Sequence, residues 1–172
     1  MSQKTLIIAY GNRDRQDDGA GWHILAKIAH KLGLTPPEFP GEWVETSDGN
    51  TRLLYLYQLL PEMAEDLMPY HQVIFVDAHN SPALPDLTFQ PIEASWEHSA
   101  FTHHMSAEEV LSITETLYGV HPQAKMLTVR GYLFEFEREL SDQTAALVEQ
   151  AAALLESELA QAMPPTGKPK KP

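Results

Sequence analysis

The segment Gln72-Val73-Ile74-Phe75-Val76-Asp77 most narrows what this chain can become. An uninterrupted apolar run this short reads as a strand buried on both faces, which requires a sheet with helices on either side. Thr5-Leu6-Ile7-Ile8-Ala9-Tyr10 repeats the pattern. After a Gly-Asn turn, Trp22, Ile24, Leu25, Ile28, Ala29 and Leu32 are spaced as on one face of a helix opening near Asp17 and closed by Gly33. Further strands are expected at residues 43–46, 87–92 and 125–129, with Pro91 placing the second of these near a sheet edge. Residues 52–60 fit strand, connector or helix, and a short helix follows with Pro61 in its first turn. Ser106 and Glu109 have capping-box spacing for a helix to about residue 117, and residues 141–162 read as a long terminal helix. The alternation predicts one α/β domain over residues 1–162, a three-layer αβα arrangement around a mostly parallel or mixed sheet. Residues 163–172, rich in Pro and Lys, have the composition of a disordered tail.

Composition narrows the chemistry. The 172 residues suit a single domain with a substantial core, and a net charge of -12 makes nucleic acid a poor partner. No apolar run is long enough to span a bilayer and the N-terminus does not read as a signal peptide, so a cytoplasmic protein without membrane contact is expected. The absence of cysteine excludes disulfides, thiolate nucleophiles and Cys-based metal sites. Any metal must be held by His, Asp, Glu or carbonyl oxygen.

Three separated segments then present acids and imidazoles where the carboxyl rim of the sheet is expected: Asp17 and Asp18, Asp77, and His103 with His104. Open α/β sheets bind ligands at that rim. Two carboxylates and an imidazole form a plausible open metal site, in which residue types alone do not choose the ion. Without a cation, clustered carboxylates repel and at least one should titrate upward. Each signal also has a plainer reading. Asp17 suits a helix cap, which leaves Asp18 as the pocket acid; an Asp after a strand often anchors a turn; paired histidines before a helix are more often surface filler than ligands. A phosphate site is disfavoured, because Gly11, Gly19 and Gly21 do not match G-x-G-x-x-G, no P-loop is present, and two acids would repel the anion. Neither H-E-x-x-H nor G-x-S-x-G occurs.

With these residues in place, the chain resembles the nickel-dependent hydrogenase maturation endopeptidases over nearly its whole folded part. Gly11-Asn12 followed by Asp17-Asp18-Gly19-Ala20-Gly21 is similar to that family's G-N-x4-D-(D/E)-x-x-G opening, whose second acid, here Asp18, is a metal ligand. Phe75-Val76-Asp77-Ala78 resembles its central strand ending in Asp-Ala, and Thr102-His103-His104-Met105-Ser106 its third ligand, mapped to His103 with His104 one register away. Glu139-Leu140-Ser141 is similar to a Leu-Ser segment before the last helix. Asp48-Gly49-Asn50-Thr51 departs from an Asp-Gly-Gly-Thr loop that helps select the substrate, and Tyr57-Gln58-Leu59-Leu60-Pro61-Glu62 looks like a distinct Gln-Leu-x-Pro-Glu branch.

The resemblance implies an αβα fold and a monomeric endopeptidase. Its substrate would be a [NiFe] hydrogenase large-subunit precursor, from which it removes a C-terminal extension after nickel insertion. Asp18, Asp77 and His103 would contact the substrate's nickel beside the scissile bond, with Gly11, Asn12, Asp17, Gly19 and His104 in support. Nickel travels with the substrate, and other divalent ions could occupy the site. A metal-bound or metal-polarised water attacking the peptide carbonyl is the expected mechanism. The alternative is a non-catalytic, nickel-sensing maturation chaperone on the same fold.

Overall fold

A computed structural model describes residues 3–96 and 104–162. In chain order they form β1 (Thr5–Tyr10), a 3₁₀ turn (Gln16–Gly19), α1 (Ala20–Lys31), β2 (Trp43–Glu45), β3 (Thr51–Leu56), α2 (Met63–Asp66) and β4 (Gln72–His79). They continue with β5 (Leu87–Ile92), α3 (Ala107–Tyr118), β6 (Gln123–Arg130) and α4 (Asp142–Ala162). The ambiguous stretch after residue 51 is therefore a strand as far as Leu56. The expected tail lies outside the described residues.

The six strands make one mixed sheet in the order β2-β3-β1-β4-β6-β5. The inner four are parallel, while β2 and β5 pair antiparallel at the two edges. Pro91 is tolerated because β5 is an edge strand, with no ladder on its outer side. Alternation along β1 and β4 divides the core into two. Ile7, Ala9, Ile74 and Val76 pack with Ile24, Leu25 and Ile28 of α1 and Val148, Ala151 and Leu155 of α4. Leu6, Ile8, Val73 and Phe75 pack on the other face with Met63 of α2 and Ala107, Val110 and Leu111 of α3. This is the expected αβα sandwich, and strands buried on both faces explain why the two apolar runs lack alternation. Among the described residues no helix is long and apolar enough to cross a membrane.

Two features aim the sheet at a site. From β1 the chain proceeds to β3 on one side, then to β4 on the other, so the connections diverge at the carboxyl ends of β1 and β4. Such a switch point opens a crevice that the sheet itself leaves uncovered. On the α2/α3 face, α3 begins with a full capping box: the Glu109 N–H donates to Ser106 Oγ at 3.1 Å and the Ser106 N–H to Glu109 Oε2 at 2.8 Å. Gly119, at φ 64°, ends the helix in the left-handed region. Ser106→Ala should lower unfolding free energy by about 1 kcal/mol in urea titration through loss of the cap.

Candidate active site at the carboxyl rim

Tyr10 closes β1 and, since Ala9 pairs with Val76, lies beside Asp77 in the next register step. Both have the side-chain parity of Ile8 and Phe75 and so stand on the α2/α3 face. Asp77 Oδ1 accepts the Ala78 N–H at 2.7 Å. Burial raises the Asp77 carboxyl; the Ala78 N–H opposes the rise, the Asp18 charge adds to it, and a hydrogen bond with Tyr10 opposes it. The outcome is a pKa pushed up to about 7, with burial the main cause and the neighbouring carboxylate a lesser one. Burial, followed by the charges of Asp77 and Glu108, pushes the Tyr10 phenol well above its ordinary value, so it remains a hydrogen-bond donor.

Asp18 reaches the same rim from the loop after β1. The Asn12 N–H donates to Asp18 Oδ2 at 2.8 Å, which fixes the carboxylate, while the Asn12 side chain accepts the Asp14 N–H at 2.9 Å and shapes the turn. Gly11 has φ 129°, and a Cβ there would stand 2.2 Å from the Asp18 carbonyl oxygen. Only glycine lets the two backbones approach so closely. The buried Tyr55 hydroxyl donates to the Gly11 carbonyl at 3.0 Å, securing the same turn from β3. At Gly19 a Cβ would meet Arg13 Cα at 2.5 Å, and at Gly21 it would meet the Val76 carbonyl oxygen at 2.9 Å. The glycines of the opening motif thus serve close packing of loop, helix and strand ends.

Asp17 does something other than cap a helix. The first helical residues form the 3₁₀ turn, α1 begins only at Ala20, and neither start has a side-chain cap. Asp17 is fully buried. Its Oδ2 accepts the N–H groups of Tyr132 and Leu133 at 2.8 and 2.9 Å and the Ser141 hydroxyl at 2.7 Å, and its Oδ1 accepts the Ser141 N–H at 2.8 Å. Burial opposes the charge, but these four donors outweigh it and hold the carboxyl below its ordinary value. The Leu-Ser segment before α4 therefore has a physical role here: Ser141 closes this latch.

The other expected residues fall as follows. His104 is exposed just before the α3 cap, and His103 lies outside the described residues. Among the described residues no group of three His, Asp or Glu is arranged to hold a metal ion; the two described members of the expected triad, Asp18 and Asp77, lie close enough for the charge of one to act on the other. The Asp48 turn is well formed, with the Thr46 hydroxyl donating to Asp48 Oδ1 at 2.6 Å. However, the Thr5 N–H bonds to the Asn50 carbonyl, which puts that turn at the amino edge of the sheet, opposite the acids. Tyr10 and Glu108 were not anticipated from the sequence. The role of Tyr10 depends on the β1–β4 register, which the sequence does not report, whereas Glu108 is legible as a first-turn acid of the capped helix.

The whole fold is shared with proteins of known structure. This chain has the fold of the [NiFe] hydrogenase maturation proteases. The [NiFe] hydrogenase maturation protease HybD from Thermococcus kodakarensis superposes with a TM-score of 0.66 at 21% identity, covering 91% of this chain and 99% of that one. The hydrogenase maturating endopeptidase HybD from E. coli gives 0.66 at 17% identity over 93% and 94%, and HycI from Thermococcus kodakarensis KOD1 gives 0.62 at 17% over 92% and 93%. No protein-family model and no curated protein sequence matches the chain. The likeness to the maturation proteases is therefore one of architecture, spanning nearly the full length of both partners.

Replacing Asp17 by Asn puts an amide NH₂ against backbone donors and removes a buried charge that four donors require. Loss of such charge-assisted bonds should cost about 3 kcal/mol in urea denaturation. Because the folded pKa is depressed, the wild-type advantage is complete above the unfolded pKa and fades as pH falls through the folded one. The stability difference between wild type and Asp17→Asn should narrow on acidification.

Proposed function

We propose that this chain is an endopeptidase that removes the C-terminal extension of a [NiFe] hydrogenase large-subunit precursor after nickel insertion. Asp18, Asp77 and His103 contact the substrate's nickel next to the scissile bond. The observation that carries the reading is the convergence of Asp18 and Asp77 at the switch point of a fold shared with maturation proteases. A carboxylate disfavoured by burial and by the charge of a neighbouring one, as Asp77 is, is a receptor for a cation, and the cation here arrives as the substrate's cargo. Nickel would supply recognition and local positive charge.

The chain's own groups do the rest. One oxygen of each carboxylate is tied to a backbone N–H, Asn12 for Asp18 and Ala78 for Asp77, so both groups are oriented before substrate arrives. Pre-orientation of this kind is what a reacting site requires. A carboxylate so held accepts the O–H of a water directed at the peptide carbonyl, the ordinary role of a general base. Tyr10, kept protonated, orients Asp77. The lack of cysteine is consistent with a route that needs no thiolate nucleophile.

Asp77→Asn distinguishes this role from a structural one. It removes a charge that burial and Asp18 both disfavour, so its thermal midpoint should equal or exceed that of wild type. Processing of the nickel-loaded precursor, followed by intact mass, should nevertheless fall by at least about 10²-fold, as should that by Asp18→Ala and His103→Ala. Wild-type rates in all three variants would refute the proposal.

A further inference from the structure

The segment between β6 and α4 is fastened to the 3₁₀ turn along its length. The Gln16 N–H donates to the Glu137 carbonyl at 2.7 Å and the Asp17 N–H to the Leu133 carbonyl at 3.1 Å. The Glu135 N–H donates to Gln16 Oε1 at 3.3 Å, and Arg138 pairs with Asp14 at 2.5 Å. Gln16 itself is held at φ 51°, an uncommon conformation for a non-glycine residue that its surroundings must impose. Within this segment Phe134 folds back so tightly that a Cβ on Gly131 would lie 2.7 Å from its ring. Phe136, two residues on, is 90% exposed, and Leu133 is 49% exposed.

A loop tied down by so many bonds, yet presenting an almost wholly solvated aromatic ring, is organised for an outside contact. Buried aromatic anchors at the centre of an interface carry a large share of binding energy. Exposed Glu135, Glu137 and Glu139 neighbour Phe136 along the chain, whereas the intervening Arg138 is engaged with Asp14. The complementary surface is an apolar pocket rimmed by lysines or arginines. A second copy of this chain fits poorly, since a two-fold contact would set the same glutamates against one another. An anionic lipid surface would repel them.

We infer that Phe136, framed by Glu135 and Glu137, is the docking anchor through which this protein engages the body of the large-subunit precursor, on a cation-rimmed apolar pocket away from the scissile bond. The inference rests on the proposed function for the identity of the partner. The placement of the ring suits docking, because the latch residue Asp17 is the chain neighbour of Asp18, and the docking tip and the carboxylate rim are thereby parts of one rigid unit.

The test uses the full chain and a nickel-loaded precursor carrying its extension. The side chains of Phe136, Glu135 and Glu137 take no part in the backbone latch, so Phe136→Ala and the double variant Glu135→Lys/Glu137→Lys should melt with wild type. Phe136→Ala should raise both KM and the dissociation constant at least tenfold with kcat within twofold. The double variant should also bind more weakly and lose most of the salt dependence shown by wild type. If wild type processes the precursor while Phe136→Ala shows an unchanged KM, or a lowered kcat alone, the docking inference fails and the proposed function stands. If wild type neither binds nor cleaves the precursor, both fail.

Discussion

The buried carboxylate of Asp17 ties the architecture of the rim together. Four donors from a segment more than 110 residues away converge on its two oxygens. A carboxylate without solvent tolerates its charge only when so surrounded, and the donors in turn need an acceptor that the turn preceding α4 does not itself supply. This reciprocal dependence fixes the 3₁₀ turn against the start of α4 and leaves the next residue, Asp18, no freedom except to face the rim. The glycines work in the same direction. Gly11 and Gly21 remove the side-chain volume that would hold the turn and α1 away from the ends of β1 and β4.

The site follows from the sheet order. With β3 and β4 on opposite sides of β1, the connections diverge at the ends of β1 and β4, and Tyr10 and Asp77 are the residues whose parity turns them toward α3. Asp77 is the unfavourable member of the arrangement. Burial and the Asp18 charge both work against its ionisation, and neither the Ala78 N–H nor the Tyr10 hydroxyl fully compensates. Groups left in that condition are found where a ligand completes them. Asp17 and Asp18, adjacent in sequence, thus have opposite fates: one is satisfied internally and structural, the other is oriented but available.

Where the sequence is informative, the signals are local. Apolar runs, helical spacing and the Ser106/Glu109 box point to the strands, helices and layers because each depends on residues a few positions apart. The stretch through residues 52–60 resists reading, since a strand buried on both faces and a buried helix segment look alike at that length. Asp17 reads as a cap, wrongly, for a different reason. Its position near a helix start is local, but its partners at Tyr132, Leu133 and Ser141 are not, and no spacing rule reports them. The same limit applies to Tyr10, whose role depends on register with a strand more than 60 residues away. For the Asp48 turn, motif likeness says nothing of place, while strand direction puts it at the amino edge of the sheet.

On the proposed function, the carboxylate rim reads nickel in a precursor, and cleavage beside it is conditional on that metal. The most direct test is to incubate the wild-type protein with the same large-subunit precursor, once nickel-free and once nickel-loaded, and to follow intact mass. Loss of the C-terminal peptide from the nickel-loaded form alone is expected. Equal cleavage of both forms, or cleavage of neither, would contradict it.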